Sequence, residues 1–212
     1  MSDGLCDALR TTGLLRLPPG SSEASALAHL PEGYVLLNYR FCIRGVTLST
    51  FHRDVTSSAR VFQTKHPTYT VIRYCNQGPH LAYCPRSHRS FMGCTLPRWT
   101  RGAAGTVYVF DCDIVHAGCP TSDCNRVVEQ FKAAHEDDVP RLMHLDGTDT
   151  VHTADRPIRM QRLLRTTSWL LHALHAETRA VALMQRPGKS KWVQRFLRWT
   201  GVYFYNETRT AR

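Results

Sequence analysis

A single metal ion can be held by His52, Asp54 and His116 only if the chain brings together segments that stand 116 − 52 = 64 residues apart. His52-Arg53-Asp54 places an imidazole and a carboxylate two residues apart. In a strand, side chains i and i+2 share a face, so both reach one ion while Arg53 points away or to the rim. The run before them, Val46-Thr47-Leu48-Ser49-Thr50-Phe51, is rich in β-branched and aromatic residues and predicts a strand. His116 follows the β-rich run Thr106 to Phe110 and the tripeptide Asp111-Cys112-Asp113. Arg126 opens another predicted strand, Arg126 to Lys132, where a guanidinium is suited to a bidentate grip on a carboxylate. Taken alone, Asp54 is also a turn cap and His116 a packed histidine. Together, two histidines and one carboxylate form the facial donor set that suits Fe(II) and leaves positions open for oxygen chemistry. Zinc and nickel accept the same donors, so a zinc or nickel enzyme of the cupin type stays open on residue type alone.

Three blocks carry a family resemblance. The first is His52-Arg53-Asp54. The second is Asn76-Gln77-Gly78-Pro79-His80-Leu81-Ala82-Tyr83-Cys84-Pro85-Arg86-Ser87-His88-Arg89, and the third runs from Gly105 to Arg126. In this order, over roughly residues 34 to 132, they resemble the phytanoyl-CoA hydroxylase-like branch of the Fe(II)/2-oxoglutarate oxygenases. The resemblance implies a mainly β fold, a double-stranded β-helix or jelly roll, with flanking N-terminal and C-terminal helices. It implies His52, Asp54 and His116 as ligands to Fe(II), and Arg126 as the anchor for the C5 carboxylate of 2-oxoglutarate. It offers Asn38, on an earlier strand, as a contact for the C1 carboxylate. The implied reaction is hydroxylation of a C–H bond with release of succinate and CO2, with ascorbate as a supporting reductant.

Two departures from the family pattern stand out: Arg86 occupies a usual glycine position, and Gly118 a usual serine position. An intact Asp54 favours hydroxylation over halogenation, in which a small residue replaces the carboxylate. His80 and His88 read as loop histidines that pack or hydrogen-bond.

The 212 residues suit one domain with a sizeable core. The eight cysteines form no Cys-x-x-Cys pair, which argues against a zinc ribbon. With no signal-peptide pattern at the start, they read as reduced thiols in a cytoplasmic protein. The apolar runs are too short for a membrane span.

Along the chain, residues 4 to 16 and 23 to 30 read as short helices, the second capped by Ser21-Ser22-Glu23. Strands are expected at 34–44, 61–62, 69–74, 81–84, 106–110, 114–117 and 126–134. From Pro157 the apolar residues take a helical period. This divides the chain into an oxygenase-type domain, 1–156, and a basic helical extension, 157–212, packed on it. Residues 151–212 hold 12 Lys+Arg and 3 Asp+Glu, a net of +9, and the other 150 residues account for +1 of the total +10. The segment Lys189 to Trp199 is basic and aromatic and could lie on an anionic membrane surface, placing the chain peripherally there, or bind an acidic partner. Nucleic acid is a weaker reading, since no recognition motif accompanies the charge. A small-molecule or lipid-like substrate is the expected partner of the metal site. The competing functional class is a catalytically idle scaffold whose basic tail recruits a membrane, nucleic acid or acidic partner.

Overall fold

The computed structural model describes residues 2–45, 50–89, 95–121, 123–154, 163 and 165–170. Two antiparallel-rich sheets face each other. The larger has strand order β1-β6-β3-β8-β2-β9, and the smaller β5-β4-β7. The strands are β1 (Leu14–Leu17), β2 (Tyr34–Gly45), β3 (Tyr69–Tyr74), β4 (Gly78–Tyr83), β5 (Arg98–Gly102), β6 (Thr106–Asp111), β7 (His116–Gly118), β8 (Val127–His135) and β9 (Thr148–Ala154). Neighbours within each sheet are mostly distant in sequence, as in a jelly roll.

The central strands are covered on both faces. On β6, Val107 and Val109 pack outward with Leu9, Leu15, Leu17, Ala26 and Leu30, beneath helices α1 (Ser2–Thr12) and α2 (Glu23–Leu27). Tyr108 and Phe110 face inward, with Ile72, Tyr74, Leu81 and Tyr83 from the facing strands. Strand alternation sorts the residues this way, and no residue of β6 remains exposed.

Several expected elements changed type. The helix expected over 4–16 ends at Thr12. Gly13 turns the chain at φ +85, and Leu14–Leu17 pairs with β6 instead. A Cβ at Gly13 would lie 2.5 Å from His88 Nδ1, so the close approach as well as the turn requires glycine. Val61 and Phe62 sit in a short helix, α3 (Ala59–Phe62), because the Ser58 hydroxyl accepts the Val61 N–H at 3.3 Å and caps it. The cap expected before α2 is present: Ser22 accepts the Ser25 N–H at 3.0 Å. β5 and β9 were not expected; the exposed Trp99 and Val151 on them break the apolar alternation that marks a strand.

Over the described residues 50–54, the strand expected to carry both His52 and Asp54 is a single bridge at His52. Residues 46–49 lie outside the described residues. His52 makes a single antiparallel bridge to His116, and the chain then turns into a 3-10 segment, Val55–Ser57. The helical pattern after Pro157 is described only at residues 163 and 165–170, which are helical. The 156/157 boundary and the basic segment 189–199 lie outside the described residues.

Candidate metal centre

His52 and His116 sit side by side because their backbones pair. Each N–H donates to the other's carbonyl at 2.9 Å, and the rings lie 4.4 Å apart. Asp54 joins them from the following turn, where its N–H donates to Cys112 O at 2.9 Å. Asp54 Oδ1 is 3.6 Å from His52 Nε2 and 3.7 Å from His116 Nε2. The three donor atoms lie within 4.8 Å of one another.

The hydrogen bonds behind these atoms set their chemistry. His52 Nδ1 faces Thr50 O at 3.0 Å, and His116 Nδ1 faces Ile114 O at 3.1 Å. A carbonyl only accepts, so both Nδ1 atoms carry the proton and both Nε2 lone pairs are free. Asp54 Oδ2 accepts from Lys132 Nζ at 2.6 Å, Thr70 Oγ1 at 2.5 Å and Gln130 Nε2 at 2.9 Å. Oδ1, by contrast, is buried with no hydrogen-bond partner. Leaving a buried carboxylate oxygen unsatisfied is unfavourable unless a cation takes it. One orphaned anionic oxygen and two imidazole lone pairs on one point therefore fit a divalent transition metal. Three donors on Oδ2 leave Oδ1 as the oxygen with which Asp54 could meet an ion.

Electrostatics agree with this arrangement. Burial alone would raise the Asp54 pKa, but Lys132, His116 and His52 overcome it and hold the carboxyl well below its usual range. Burial, with the neighbouring His52, lowers His116 to about 3. Asp54 is thus a carboxylate and His116 neutral, the forms in which both could bind a metal ion. The His52 side chain is 31% exposed while those of Asp54 and His116 are 0% and 5%, so the site opens on the His52 side.

Arg126 immediately precedes β8. Its guanidinium is buried, donates to Cys119 O at 3.2 Å and to His80 O at 3.5 Å, and lies 5.3 Å from the Tyr74 ring centroid. Tyr74 belongs to the interior cluster that contains Phe110, whose ring is 4.5 Å from that of His116. Asn38 is not brought to this group. It sits exposed beside an irregularity in β2 between Leu36 and Arg40, and its carbonyl accepts from Gly147 N.

The Cys84–Arg89 turn braces both ligand segments. Ser87 Oγ accepts the Val115 N–H at 2.8 Å, and Ser87 O accepts from Arg53 at 2.8 Å. Arg53 is thus buried, and it also bonds Asp113 O. Arg86 adopts φ +65 in this turn, a left-handed conformation that explains why glycine suits the position. His80 packs on Tyr74 and meets Tyr108 OH at 3.2 Å, and His88 meets Arg10 O at 3.3 Å; neither joins the metal donors.

Residue-type reasoning missed Lys132, Thr70 and Gln130. The signal was there for Lys132: in Val128-Glu129-Gln130-Phe131-Lys132, the alternation that turns Val128 inward also turns Lys132 inward.

His66, His135 and Asp137 form a second grouping, with donor atoms within 4.8 Å of one another. There, however, His135 Nδ1 accepts the Asp137 N–H at 3.3 Å, which puts its proton on Nε2, and the two rings stack at 3.9 Å. Its lone pairs do not converge.

No family model matches the chain, and no curated protein matches it. Among solved structures it is similar to EvdMO1, at 11% identity and TM-score 0.49, covering 64% of this chain and 50% of that one. This chain thus spans half the length of EvdMO1. It is similar to HygX from Streptomyces hygroscopicus, solved with nickel and 2-oxoglutarate bound, at 12% identity and TM-score 0.44, covering 64% and 87%. It is also similar to SnoN, a non-heme alpha ketoglutarate dependent epimerase from nogalamycin biosynthesis, at 13% identity and TM-score 0.43, covering 63% and 82%. Among the described residues, no helix is long and apolar enough to cross a membrane.

Proposed function

We propose that this chain is an Fe(II)- and 2-oxoglutarate-dependent dioxygenase that hydroxylates a C–H bond of a small-molecule or lipid-like substrate. The observation that carries this reading is the pairing of two free imidazole lone pairs with one orphaned carboxylate oxygen. His52, Asp54 and His116 would hold the ion. When bound, iron with 2-oxoglutarate and dioxygen supplies the oxidising power that yields succinate, CO2 and a hydroxylated product.

The chain's own residues do the rest. Thr50 O and Ile114 O fix the ring tautomers. Lys132, Thr70 and Gln130 hold Asp54 in one orientation. Arg126, Val128, Gln130 and Lys132 alternate along one strand direction, so Arg126 begins four residues, about 13 Å, from Gln130. Arg126 is our candidate for the distal carboxylate of 2-oxoglutarate. Tyr74, Tyr108, Phe110 and Leu81 wall the interior with apolar surface and exclude water from it. Substrate enters from the His52 side, the exposed one.

The test is succinate formation from 2-oxoglutarate by purified protein supplied with Fe(II) and ascorbate. Iron-dependent succinate that Asp54→Ala lacks is expected. Absence of succinate, together with failure to bind 2-oxoglutarate anaerobically, would contradict the proposal and favour a scaffold or another metal enzyme.

A further inference from the structure

The segment that presents His52 joins the smaller sheet by the His52–His116 bridge and by Phe51, which packs with Ala82 and Ala117. On its other edge Phe51 turns its N–H away from β7. That N–H is taken by the C-terminal helical segment: Ser168 Oγ accepts it at 2.8 Å in a buried setting. The Ser168 hydroxyl proton goes to Arg165 O at 2.9 Å, which leaves the oxygen lone pair for Phe51.

Arg165 works beside it. Its Nη1 donates to Gly118 O at 2.7 Å, two residues past His116. Its guanidinium lies 4.5 Å from the Phe51 ring centroid and 4.2 Å from that of Trp99. Both Arg165 and Ser168 are 6% exposed. Trp169 packs on Phe51, Ala82, Cys84, Val115 and Ala117, the outer face of the smaller sheet.

We infer that Arg165 and Ser168 are positioning residues for the metal centre, clamping the Phe51-His52 segment against the His116-Gly118 strand from the outside. Neither touches the ion or a reacting group. They act through the backbone of Phe51 and Gly118, one residue before His52 and two after His116, so that the helical residues 165–170 are part of the site's support. The inference rests on the metal reading of His52, Asp54 and His116. Groups behind metal ligands typically change metal affinity by about 10–100-fold, and a clamp on two of three ligand segments belongs in that range.

The experiment uses the full chain and Co(II) as the probe ion, read by its visible absorption, with thermal unfolding of the metal-free protein measured alongside. Ser168→Ala and Arg165→Met are expected to weaken Co(II) binding by roughly tenfold and to alter the absorption band. Ser168→Thr, which keeps the hydroxyl, is expected to restore both. Leu30→Ala, in the core beneath α2 and remote from the clamp, serves as a general destabiliser and is expected to lower the unfolding temperature without changing Co(II) affinity. Wild-type affinity in Ser168→Ala and Arg165→Met overturns the clamp, and so does an equal loss in Leu30→Ala. Failure of the wild-type chain to bind Co(II) overturns the metal reading itself, and the clamp with it.

Discussion

Among the described residues, two groups of two histidines and one aspartate bring their donor atoms within 4.8 Å of one another, and they differ in what stands behind the rings. At His52 and His116, backbone carbonyls hold the Nδ1 protons and turn both Nε2 lone pairs toward an orphaned Asp54 oxygen. At His66 and His135, one ring accepts at Nδ1 and the rings stack. His66 Nδ1 pairs with Asp138, a carboxylate already occupied by the Lys65 and His66 N–H groups. The second group is a satisfied surface network; the first has unfilled valence that points inward. Residue type and proximity are therefore insufficient to define a metal site, and the outer hydrogen bonds decide.

The largest effect that can break this contrast is at the aspartates. Asp54→Ala should lower metal affinity and turnover by at least ~100-fold, since even residues behind ligands are worth about 10–100-fold. Asp137→Ala should leave both unchanged, as measured by metal titration and succinate release. Lys132→Met comes next. It strips the buried cation from Asp54 and should destabilise the metal-free chain by about 3–5 kcal/mol. A bound divalent ion should restore much of that loss, which thermal unfolding with and without metal will read. Arg126→Ala should leave metal binding intact and weaken 2-oxoglutarate binding by about 2 kcal/mol, roughly 30-fold. Equal loss of metal affinity would remove Arg126 from its proposed role.

Two smaller predictions concern the turns that bring His116 into place. Burial and the neighbouring Asp113 raise Asp111 to about 7. The folded chain then holds a proton there that the unfolded chain releases near pH 4. Its contribution to stability falls as pH rises from about 4 to about 7. Asp111→Asn keeps the acceptor for the Asp113 N–H and should unfold at a higher temperature than wild type at pH 8, with the difference vanishing near pH 4. Arg86→Gly relieves a left-handed backbone and should stabilise the chain by about 1 kcal/mol, a rise of about 2–4 °C in unfolding temperature.

The grouping of His52, Asp54 and His116 was legible in the sequence because donor type and spacing survive a change in local structure. His52 and Asp54 were placed on one strand. They converge instead through a bridge followed by a turn, yet with the same partner. The central strands β3, β6 and β8 were legible from apolar runs that a two-faced core requires. β1 was hidden inside a helical-looking stretch because only the free edge of β6 decides its pairing. β9 was hidden because it pairs with β2 in parallel through backbone bonds, with Val151 left exposed. Lys132 escaped notice because charged residues are ordinarily read as surface, and only the register of β8 shows it turned inward. Arg165 and Ser168 matter through backbone contacts, which no motif records.

The most direct test is metal stoichiometry. Metal-free chain titrated with Fe(II) under anaerobic conditions should bind one ion. His52→Ala should abolish that binding, and His66→Ala and His135→Ala should leave it whole. Binding that survives His52→Ala but disappears in His66→Ala would contradict the account and move the metal to the other group.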